Sequence, residues 1–496
     1  MSLRTIIKFM AILTTVLAVF SNIYIFTYPS LNTQGCSWHV SGKNTAPSCS
    51  ETSSLWTRVG AGAKDYFTDV YRTQFPKTTS DIEKGEYFDE QVPDLHLLAF
   101  GDPQIKGNWP NTPYISRLDT FGNDYYLGHI YRSMVKRLDP SHVVVMGDLF
   151  SSQWLSDGEF YNRTKRYVRR LFPGAIPSSE QRIADLRDQQ GNHDEKGIYK
   201  ANWESFIEKN QAKMQNAKAN ADFGYSDTWK WNDDDPFMFI NMTGNHDIGY
   251  AGDMTWQHLT RWNDFFGKEN FYIEYDLHTD HPWRIVNLNA MMLDGPELQN
   301  EFRNSTWEFL YQVFERNFNG STILLTHIPF AKKEGLCVDG PFFKYYPQDH
   351  PNEPYKSGLL RSQNHLTEET SNKVLNLVFH NGKSGIILTG HDHEGCETVY
   401  NRYKTKKKAT GYSDSFWTCA KDADPKAEQH IQEITVRSMM GNFQGATGLV
   451  TGHFNGDDWD WTYTLCKFSI QHVWWATKVV TILAGFFHSS GIQTGH

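Results

Sequence analysis

The sequence lacks an excess of positive charge and any extended basic segment. Its 48 lysines and arginines are outnumbered by 57 aspartates and glutamates, which gives a formal net charge of −9. The one compact basic run, residues 404–408 (KTKKK), is typical of a solvated loop. Because charges of both signs are spread along the 496 residues, nucleic acid is not expected as a partner.

Charge is also absent from residues 9–28, a stretch long enough to cross a bilayer as a helix. Arg4 and Lys8 precede it, and no clear small-residue cleavage pattern follows it. We therefore expect residues 1–30 to form a cytosolic tip and an uncleaved signal-anchor helix, with the rest of the chain in a lumenal compartment. A cleaved signal peptide is the alternative.

A second apolar stretch, residues 473–487, lies near the C terminus. It contains one charged residue, Lys478, and begins with paired tryptophans of the kind found at membrane interfaces. Because it is short for a span, residues 468–496 are a candidate second transmembrane segment, with a buried or surface-lying helix as the alternative.

Glycosylation sequons and cysteines are compatible with a lumenal body. Asn241 ends an apolar run and is expected to be buried, whereas three other sequons need exposed loops if they carry glycans. The six cysteines are compatible with disulfides in an oxidising compartment, and Cys36 with Cys49 is the simplest local pairing. The three other sequons begin at Asn162, Asn304 and Asn319.

The main folded domain is expected at residues 93–467, after a juxtamembrane linker and helical region at residues 31–92. Segments with helical spacing lie between its apolar runs, so we predict an α/β fold with a sheet covered on both sides. The segments after Glu428 alternate more and predict closing antiparallel strands, whereas residues 155–235, with mixed charges and few apolar residues, are interpreted as partly a surface insertion. Six runs are typical of strands buried on both faces: 94–100 (DLHLLAF), 142–146 (HVVVM), 237–242 (FMFINM), 283–288 (WRIVNL), 321–326 (STILLT) and 385–390 (GIILTG).

Residues able to bind metal follow five of these predicted strands. The carboxyl ends of strands are where an α/β sheet collects its site. Each motif alone is weak, since Gly-Asp is common in turns, but their repeated occurrence at strand ends predicts a metal site. They are Asp102, Asp148, Asn245 with His246, His327, and His391 with His393.

The letters Gly-Asn-His-Asp occur twice, at residues 244–247 and 191–194. The first copy directly follows a predicted strand. The second follows a polar, charge-rich stretch that contains no β-branched run. We therefore expect His246 to take part in chemistry and His193 not to.

The order of these motifs resembles that of the calcineurin-like metallophosphoesterases over roughly residues 94–454. The resemblance implies a four-layered α/β/β/α sandwich with a two-metal centre, in which divalent ions activate water and neutralise phosphoryl charge. It implies that His246 faces the substrate as general acid and that Asp247 orients it. The implied ligands are Asp148 for both metals, Asp102 and His393 for one, and Asn245, His327 and His391 for the other.

One position departs from the family pattern. The first block usually reads Asp-x-His, and this sequence has Asp102-Pro103-Gln104. An amide oxygen is a poorer ligand than imidazole, so Gln104 is expected to bind a metal weakly, to act through water or not to bind. The identity and affinity of the first metal are left open.

Longer segments resemble a smaller branch of the family, closest in its fungal members. These endoplasmic-reticulum enzymes remodel GPI anchors before export to the Golgi, by removing ethanolamine phosphate from glycan mannoses. The resemblance implies a phosphodiesterase of GPI-anchored proteins in the endoplasmic-reticulum membrane, with manganese the usual metal. No retrieval signal is visible in residues 490–496, so this location rests on the resemblance. The similar segments are GDPQIKG (101–107), residues 335–378, GHDHEGCE (390–397) and EITVRSMMGNFQGATGL (433–449).

Three alternatives share parts of this pattern. A purple-acid-type phosphatase normally has Tyr three residues after the bridging Asp, where this chain has Ser151. Another membrane-associated metallophosphatase or phosphodiesterase of the family fits the same metal core. A protein phosphatase or nucleotide hydrolase of the family fits that core too, but the anchor disfavours it. A catalytically impaired scaffold or export factor for GPI-anchored cargo would explain Gln104, but not the otherwise complete ligand set or His246.

Overall fold

The computed structural model describes residues 2–32, 35–38, 92–107, 111–173, 235–404, 415–468 and 470–493. The strands are β1 (Leu95–Phe100), β2 (His142–Val145), β3 (Met238–Asn241), β4 (Phe271–Tyr275), β5 (Trp283–Leu288), β6 (Ser321–Thr326), β7 (Phe343–Tyr345), β8 (Leu360–Gln363), β9 (Gly385–Thr389), β10 (Cys396–Lys404), β11 (Ser415–Ala420), β12 (Gln429–Thr435), β13 (Thr447–Phe454) and β14 (Trp459–Cys466).

The α-helices are α1 (Leu3–Leu31), α2 (Tyr114–Leu138), α3 (Asp157–Arg166), α4 (Asn245–Ile248), α5 (Trp256–Phe266), α6 (Asn300–Glu315), α7 (Glu368–Val378) and α8 (Gln471–Gln493). A π-helix continues α3 at Tyr167–Leu171, and short 3₁₀ turns lie at Ala290–Met292, Pro354–Lys356 and Gly441–Phe443.

Two sheets form the centre of the body. One has the strand order β14-β13-β1-β2-β3, and the other has the order β11-β10-β12-β9-β6-β5-β4. In the first sheet β1, β2 and β3 are parallel, and in the second β5, β6, β9 and β12 are parallel. All six predicted strands are present. Their carboxyl ends bring the following loops together, which is what positions the site.

Side chains that alternate along each strand build the layers. In β1, Leu97 points into the core between the two sheets, while Leu98 and Phe100 join the core under the outer helices. This period of two is that of a strand buried on both faces. Helices α2 and α3 cover one sheet, and α6 and α7 cover the other, so the predicted four-layered α/β/β/α sandwich is confirmed.

One expectation about the body was wrong in part. β12 pairs antiparallel with β10 but parallel with β9, so the segment after Glu428 does not form antiparallel strands throughout.

Part of residues 155–235, interpreted as partly a surface insertion, belongs to the outer helical layer, which includes α3 and the π-helix after it. Their Phe160 and Tyr167 are buried with Phe172, and Phe172 packs on Phe100. The remaining part of that segment, residues 174–234, lies outside the described residues.

The terminal helices form an antiparallel pair. Thr15 of α1 lies 2.9 Å from His488 of α8, and the Asn22 amide donates to Thr481 at 2.9 Å. By length and composition, Arg4–Ser30 is the one stretch in the described part of the chain that could cross a membrane as a helix. The candidate second span lies within α8, which packs along α1 and does not meet the same criterion.

A disulfide fixes the end of α1 to the body. Cys36 bonds to Cys466 at the end of β14, across a Cα separation of 4.6 Å. The local pairing of Cys36 with Cys49 is therefore wrong, because the fold brings two chain-distant segments together. A second disulfide joins Cys337 to Cys396.

Of the four sequons, the one at Asn241 is buried, as expected, and the other three have an exposed asparagine. Asn241 is buried in β3 and accepts a hydrogen bond of 2.6 Å from the Tyr167 hydroxyl. Asn162 and Asn304 are exposed on helices, and Asn319 is exposed on the connection that precedes β6. Asn241 is therefore unsuited to glycosylation in the folded protein.

Candidate metal centre

The predicted metal ligands lie in loops that directly follow strands. Asp102 follows β1, Asp148 follows β2, and Asn245 begins α4 just after β3. From the second sheet, His327 follows β6, and His391 and His393 follow β9. Because these strands end at the same edge of the sandwich, loops far apart in sequence converge there.

Two groups of ligand atoms share one carboxylate. Asp148, His327 and His391 form one group, and Asp102, Asp148 and His393 form the other, with the ligand atoms of each group within 4.8 Å of one another. The Oδ1 atom of Asp148 is 3.4 Å from the Nε2 atom of His327. On the other side, the Oδ2 atom of Asp102 is 3.3 Å from the Nε2 atom of His393. Such a set could hold two ions with Asp148 between them.

Asn245 completes the first of these groups. Its Oδ1 atom lies 3.1 Å from the Nε2 atom of His327. The other ring nitrogen of His327 donates to the Met146 carbonyl at 2.7 Å, and the Nε2 atom of His391 donates to the Gln363 carbonyl at 3.0 Å. Metal-binding histidines commonly donate one N–H to a carbonyl in this way, which leaves the second nitrogen free to bind. The donor set therefore fits divalent ions.

Strained backbone accompanies four of the positions at the site. Asp102, Gln104, Asp148 and His391 have φ values of 25°, 41°, 50° and 74°, in the region that side chains other than glycine seldom adopt. Strain of this kind persists where the surrounding structure determines the backbone, and it concentrates at functional sites.

Two glycines allow the loops to approach closely. A Cβ atom on Gly244 would lie 2.2 Å from both the backbone nitrogen and the Oδ1 atom of Asp148. A Cβ atom on Gly147, which has φ of 92°, would lie 2.5 Å from the Nδ1 atom of His327. The glycines of the Gly-Asp and Gly-Asn-His-Asp motifs are thus required by the packing of one ligand loop on another.

Burial and neighbouring charges set the protonation of the ligands. Burial works against ionisation of Asp148, but the surrounding histidines outweigh it, so its pKa is lowered. Burial, aided by the charge of His327, lowers the pKa of His391 to about 4. For His393 burial is outweighed by the hydrogen bond and charge of Asp102, and its pKa is raised. At neutral pH His391 is therefore ready to bind a metal, whereas His393 must more often lose a proton first.

Gln104 enters the second group with its amide nitrogen. The Nε2 atom lies 3.1 Å from the Oδ2 atom of Asp148 and 3.1 Å from the Nε2 atom of His393. In this orientation the amide nitrogen links two ligands. Rotation of the amide would bring Oε1 to the same place, where it could act as a weak ligand.

His246 lies at the open side of the group. Its backbone nitrogen donates to the Oδ1 atom of Asp148 at 2.8 Å, and its Nε2 atom is 3.8 Å from the Oδ2 atom of the same residue. The side chain is 37% exposed, so a substrate could reach it. Its Nδ1 atom is buried without a hydrogen-bond partner.

Asp247 has a different arrangement from the expected one. Its carboxylate accepts hydrogen bonds from the backbone nitrogens of Gly244 at 2.9 Å and Phe150 at 3.1 Å. The Nδ1 atom of His246 is not bonded to it. Burial and the nearby Asp148 raise the pKa of Asp247 well above its usual range. Asp247 therefore fixes the two ligand loops to each other and does not orient the imidazole directly.

The loop around residues 438–445 supports the first ligand block, which the ligand motifs alone did not indicate. Ser438 donates its hydroxyl to the Asp102 carbonyl at 2.9 Å, and Phe443 packs edge-on against His393 at 5.1 Å between ring centroids. In the sequence, this loop was indicated by the resemblance of SMMGNFQG (438–445) to the smaller family branch. The second Gly-Asn-His-Asp copy, with His193, lies outside the described residues.

Comparison with known proteins gives the family. Protein TED1 of Saccharomyces cerevisiae is 54% identical over 98% of this chain and 99% of its own length. Metallophosphoesterase 1 of Xenopus laevis is 20% identical over 68% of this chain and 69% of its own length. The chain belongs to the metallophosphoesterase family. An uncharacterised protein of Schizosaccharomyces pombe is 24% identical over 77% of this metallophosphoesterase and 84% of its own length. No family model matches the chain.

Proposed function

We propose that the chain is a membrane-anchored, two-metal phosphodiesterase that removes ethanolamine phosphate from a mannose of GPI anchors. Family membership makes it a phosphoesterase-type hydrolase that uses divalent metal ions. The finer proposal adds the diester bond, the GPI substrate, manganese and a lumenal site in the endoplasmic-reticulum membrane. It describes a step in the remodelling of GPI-anchored proteins before their export.

The observation that carries the reaction type is the pair of ligand groups that share Asp148. Asp102 and His393 would hold one ion beside it, and Asn245, His327 and His391 would hold the other. When bound, two such ions supply Lewis acidity toward a water molecule and the phosphoryl oxygens. The buried, preoriented carboxylates and imidazoles supply the geometry, since their loops are fixed by close glycine contacts and strained backbone.

His246 is the candidate general acid. It lies beside the shared carboxylate, yet more than a third of its side chain is exposed, so its Nε2 atom can face a departing sugar alkoxide. General acid catalysis from a placed imidazole is worth about 10²- to 10⁴-fold in rate. Because its backbone nitrogen is bonded to Asp148, the acid and the metal ligands keep a fixed relation.

Two features support the choice of a GPI substrate. The apolar helix α1 suggests that the chain is anchored in a membrane, where lipid-linked glycans are found. The segments around Gln104, Cys337 and Ser438 also resemble the branch that acts on GPI glycans. This part of the proposal rests on resemblance and on the anchor, and it is separate from the argument for the metal centre.

The test is complementation of cells that lack the activity, followed by mass analysis of their GPI glycans. Wild type is expected to remove ethanolamine phosphate, and His246→Ala and Asp148→Asn are expected to leave it in place. The second copy of the motif provides a matched control, because His193→Ala changes the same residue in the same four letters and should leave the activity nearly intact.

Each result decides a different part of the proposal. Ethanolamine phosphate that remains on the glycan with wild type would refute the substrate. Removal by both His246→Ala and Asp148→Asn would refute the mechanism and favour a scaffold role. Loss of activity in His193→Ala with retention in His246→Ala would mean that the wrong copy of the motif was chosen.

A further inference from the structure

The first turns of α2 carry large apolar side chains in solvent. Tyr114 and Ile115 are 75% and 79% exposed, and Leu118, Phe121 and Tyr125 are exposed as well. Residues 114, 118, 121 and 125 are spaced by four, three and four, so they form one stripe along the helix. Single exposed apolar residues are ordinary, but a contiguous stripe indicates a surface that contacts something.

The stripe points away from the body of the protein. An α-helix turns by about 100° per residue, which places the stripe roughly opposite the side of α2 that carries Leu127, Met134 and Leu138. Those three residues are buried in the core under the first sheet. Over residues 114–125 the outer side of α2 is therefore apolar as well, unlike the outer side of a helix that covers a sheet in water.

Helix α1, the candidate membrane anchor, and α8, which packs along it, leave the body beside this stripe. From α1, Phe26 packs edge-on against His129 at 4.7 Å, and the Ile25 carbonyl accepts from the His129 ring at 3.1 Å. From α8, Trp475 lies directly over Gly122, where an added Cβ atom would clash with its ring. The stripe is thus continuous with the surface from which the anchor departs.

The charges on this face are basic. Two and three turns beyond Tyr125 on the same side of α2, Arg132 and Lys136 are exposed. From the adjacent π-helix, Arg170 places its guanidinium 5.3 Å from the ring centre of Phe121 and 5.6 Å from that of Tyr125. Aromatic and apolar side chains flanked by arginine and lysine are the composition of a helix that lies in a membrane interface.

We propose that the first three turns of α2 lie in the headgroup region of the bilayer that α1 enters, with the stripe against lipid. The bilayer is the occupant that fits because the stripe adjoins the anchor, faces away from the core and is flanked by cations. This placement would also hold the metal centre near the membrane surface. Helix α2 follows the loop of Asp102 in the chain. Gly445, which lies in the loop that supports Asp102, is in close contact with Tyr126 of α2. This membrane contact does not depend on the identity of the substrate.

The direct test uses the full-length chain in phosphatidylcholine vesicles that contain phosphatidylserine. Leu118→Cys is labelled with an environment-sensitive fluorophore, and lipids brominated at different depths serve as quenchers. Leu277→Cys is the matched control, because Leu277 is 51% exposed against 44% for Leu118 and lies in the turn between β4 and β5. The chain without an added cysteine gives the labelling background of the native cysteines; among the described residues, Cys419 is the one outside a disulfide.

The label at position 118 should shift to shorter wavelength on binding to vesicles and be quenched best at about 5–10 Å below the headgroups. The label at position 277 should show neither change. If both labels behave alike, the proposal is wrong.

A functional test distinguishes this proposal from the proposed function. Leu118→Asp should lower hydrolysis of a lipid-anchored diester about tenfold, because the carboxylate opposes insertion, and should leave hydrolysis of a soluble diester unchanged. An equal loss on both substrates would contradict a role in membrane docking. If wild type hydrolyses neither diester, the proposed function fails, and the fluorescence quenching still decides the membrane contact.

Discussion

Substitution of Gly244 by alanine tests how closely the ligand loops must pack. Gly244 has φ of −119° and ψ of 172°, a backbone conformation open to any residue, so the one obstacle is space. The added Cβ atom would lie 2.2 Å from the Oδ1 atom of Asp148, whereas comfortable contacts begin at about 3.5 Å. The Asp148 loop must therefore move by about 1 Å.

The expected effect is larger on activity than on stability. Overpacking of this kind destabilises proteins by about 1–3 kcal/mol, whereas a displacement of about 1 Å in a reacting geometry lowers the rate about 10²-fold. The assay is hydrolysis of a soluble phosphodiester with saturating manganese, together with the metal content and melting temperature of the purified protein. A fall in activity with a folded protein is predicted.

Gly340→Ala is the matched control. Its added Cβ atom would meet the Glu334 side chain at 3.8 Å, an ordinary contact. This variant should keep both activity and metal content. Wild-type activity in Gly244→Ala would refute the close packing of the two loops, and an equal loss in Gly340→Ala would show that the effect is not specific to the metal centre.

Three further changes have defined outcomes. Gln104→His restores the usual Asp-x-His block and should tighten manganese binding and raise activity at low manganese, as measured by metal titration; weaker binding would contradict the placement of the amide beside two ligands. Metal affinity should fall as the pH is lowered, and the fall should begin above the usual pKa of histidine. The reason is that Asp102 favours the protonated form of His393, which cannot bind a metal. A pH-independent affinity would exclude His393 as a ligand. Lys332→Met removes one partner of a buried ion pair of 2.8 Å and should destabilise the fold by about 3–5 kcal/mol in denaturant unfolding, whereas adding Glu433→Gln should recover much of the loss.

Much of the sandwich could be predicted from the sequence because its central strands are buried on both faces. Runs such as HVVVM are typical of strands buried on both faces. Five of the six runs are followed by a polar ligand at the point where the strand ends. The convergence of Asp148 and His327 then follows from parallel strands that end at one edge. Local sequence patterns were therefore sufficient to predict features that depend on one strand and the loop that follows it.

Long-range contacts could not be predicted in the same way. The bond between Cys36 and Cys466 depends on the path of α1 relative to β14, which no local spacing encodes. The role of Asp247 was also missed, because its two partners are backbone nitrogens, and every residue except proline offers one. The helix at Asp157–Arg166 looked too polar for a core element, yet its Arg163 is buried in a hydrogen bond of 2.8 Å to Glu159.

The central claim is that two ions share Asp148, and metal content tests it most directly. The purified chain would be stripped with chelator, reloaded with manganese, and assayed for bound metal and for diester hydrolysis at each step. We predict two ions per chain for wild type, in keeping with the two ligand groups, and loss of both metal and activity in Asp148→Asn. Activity that survives in the metal-free protein, or full metal content in Asp148→Asn, would contradict the account.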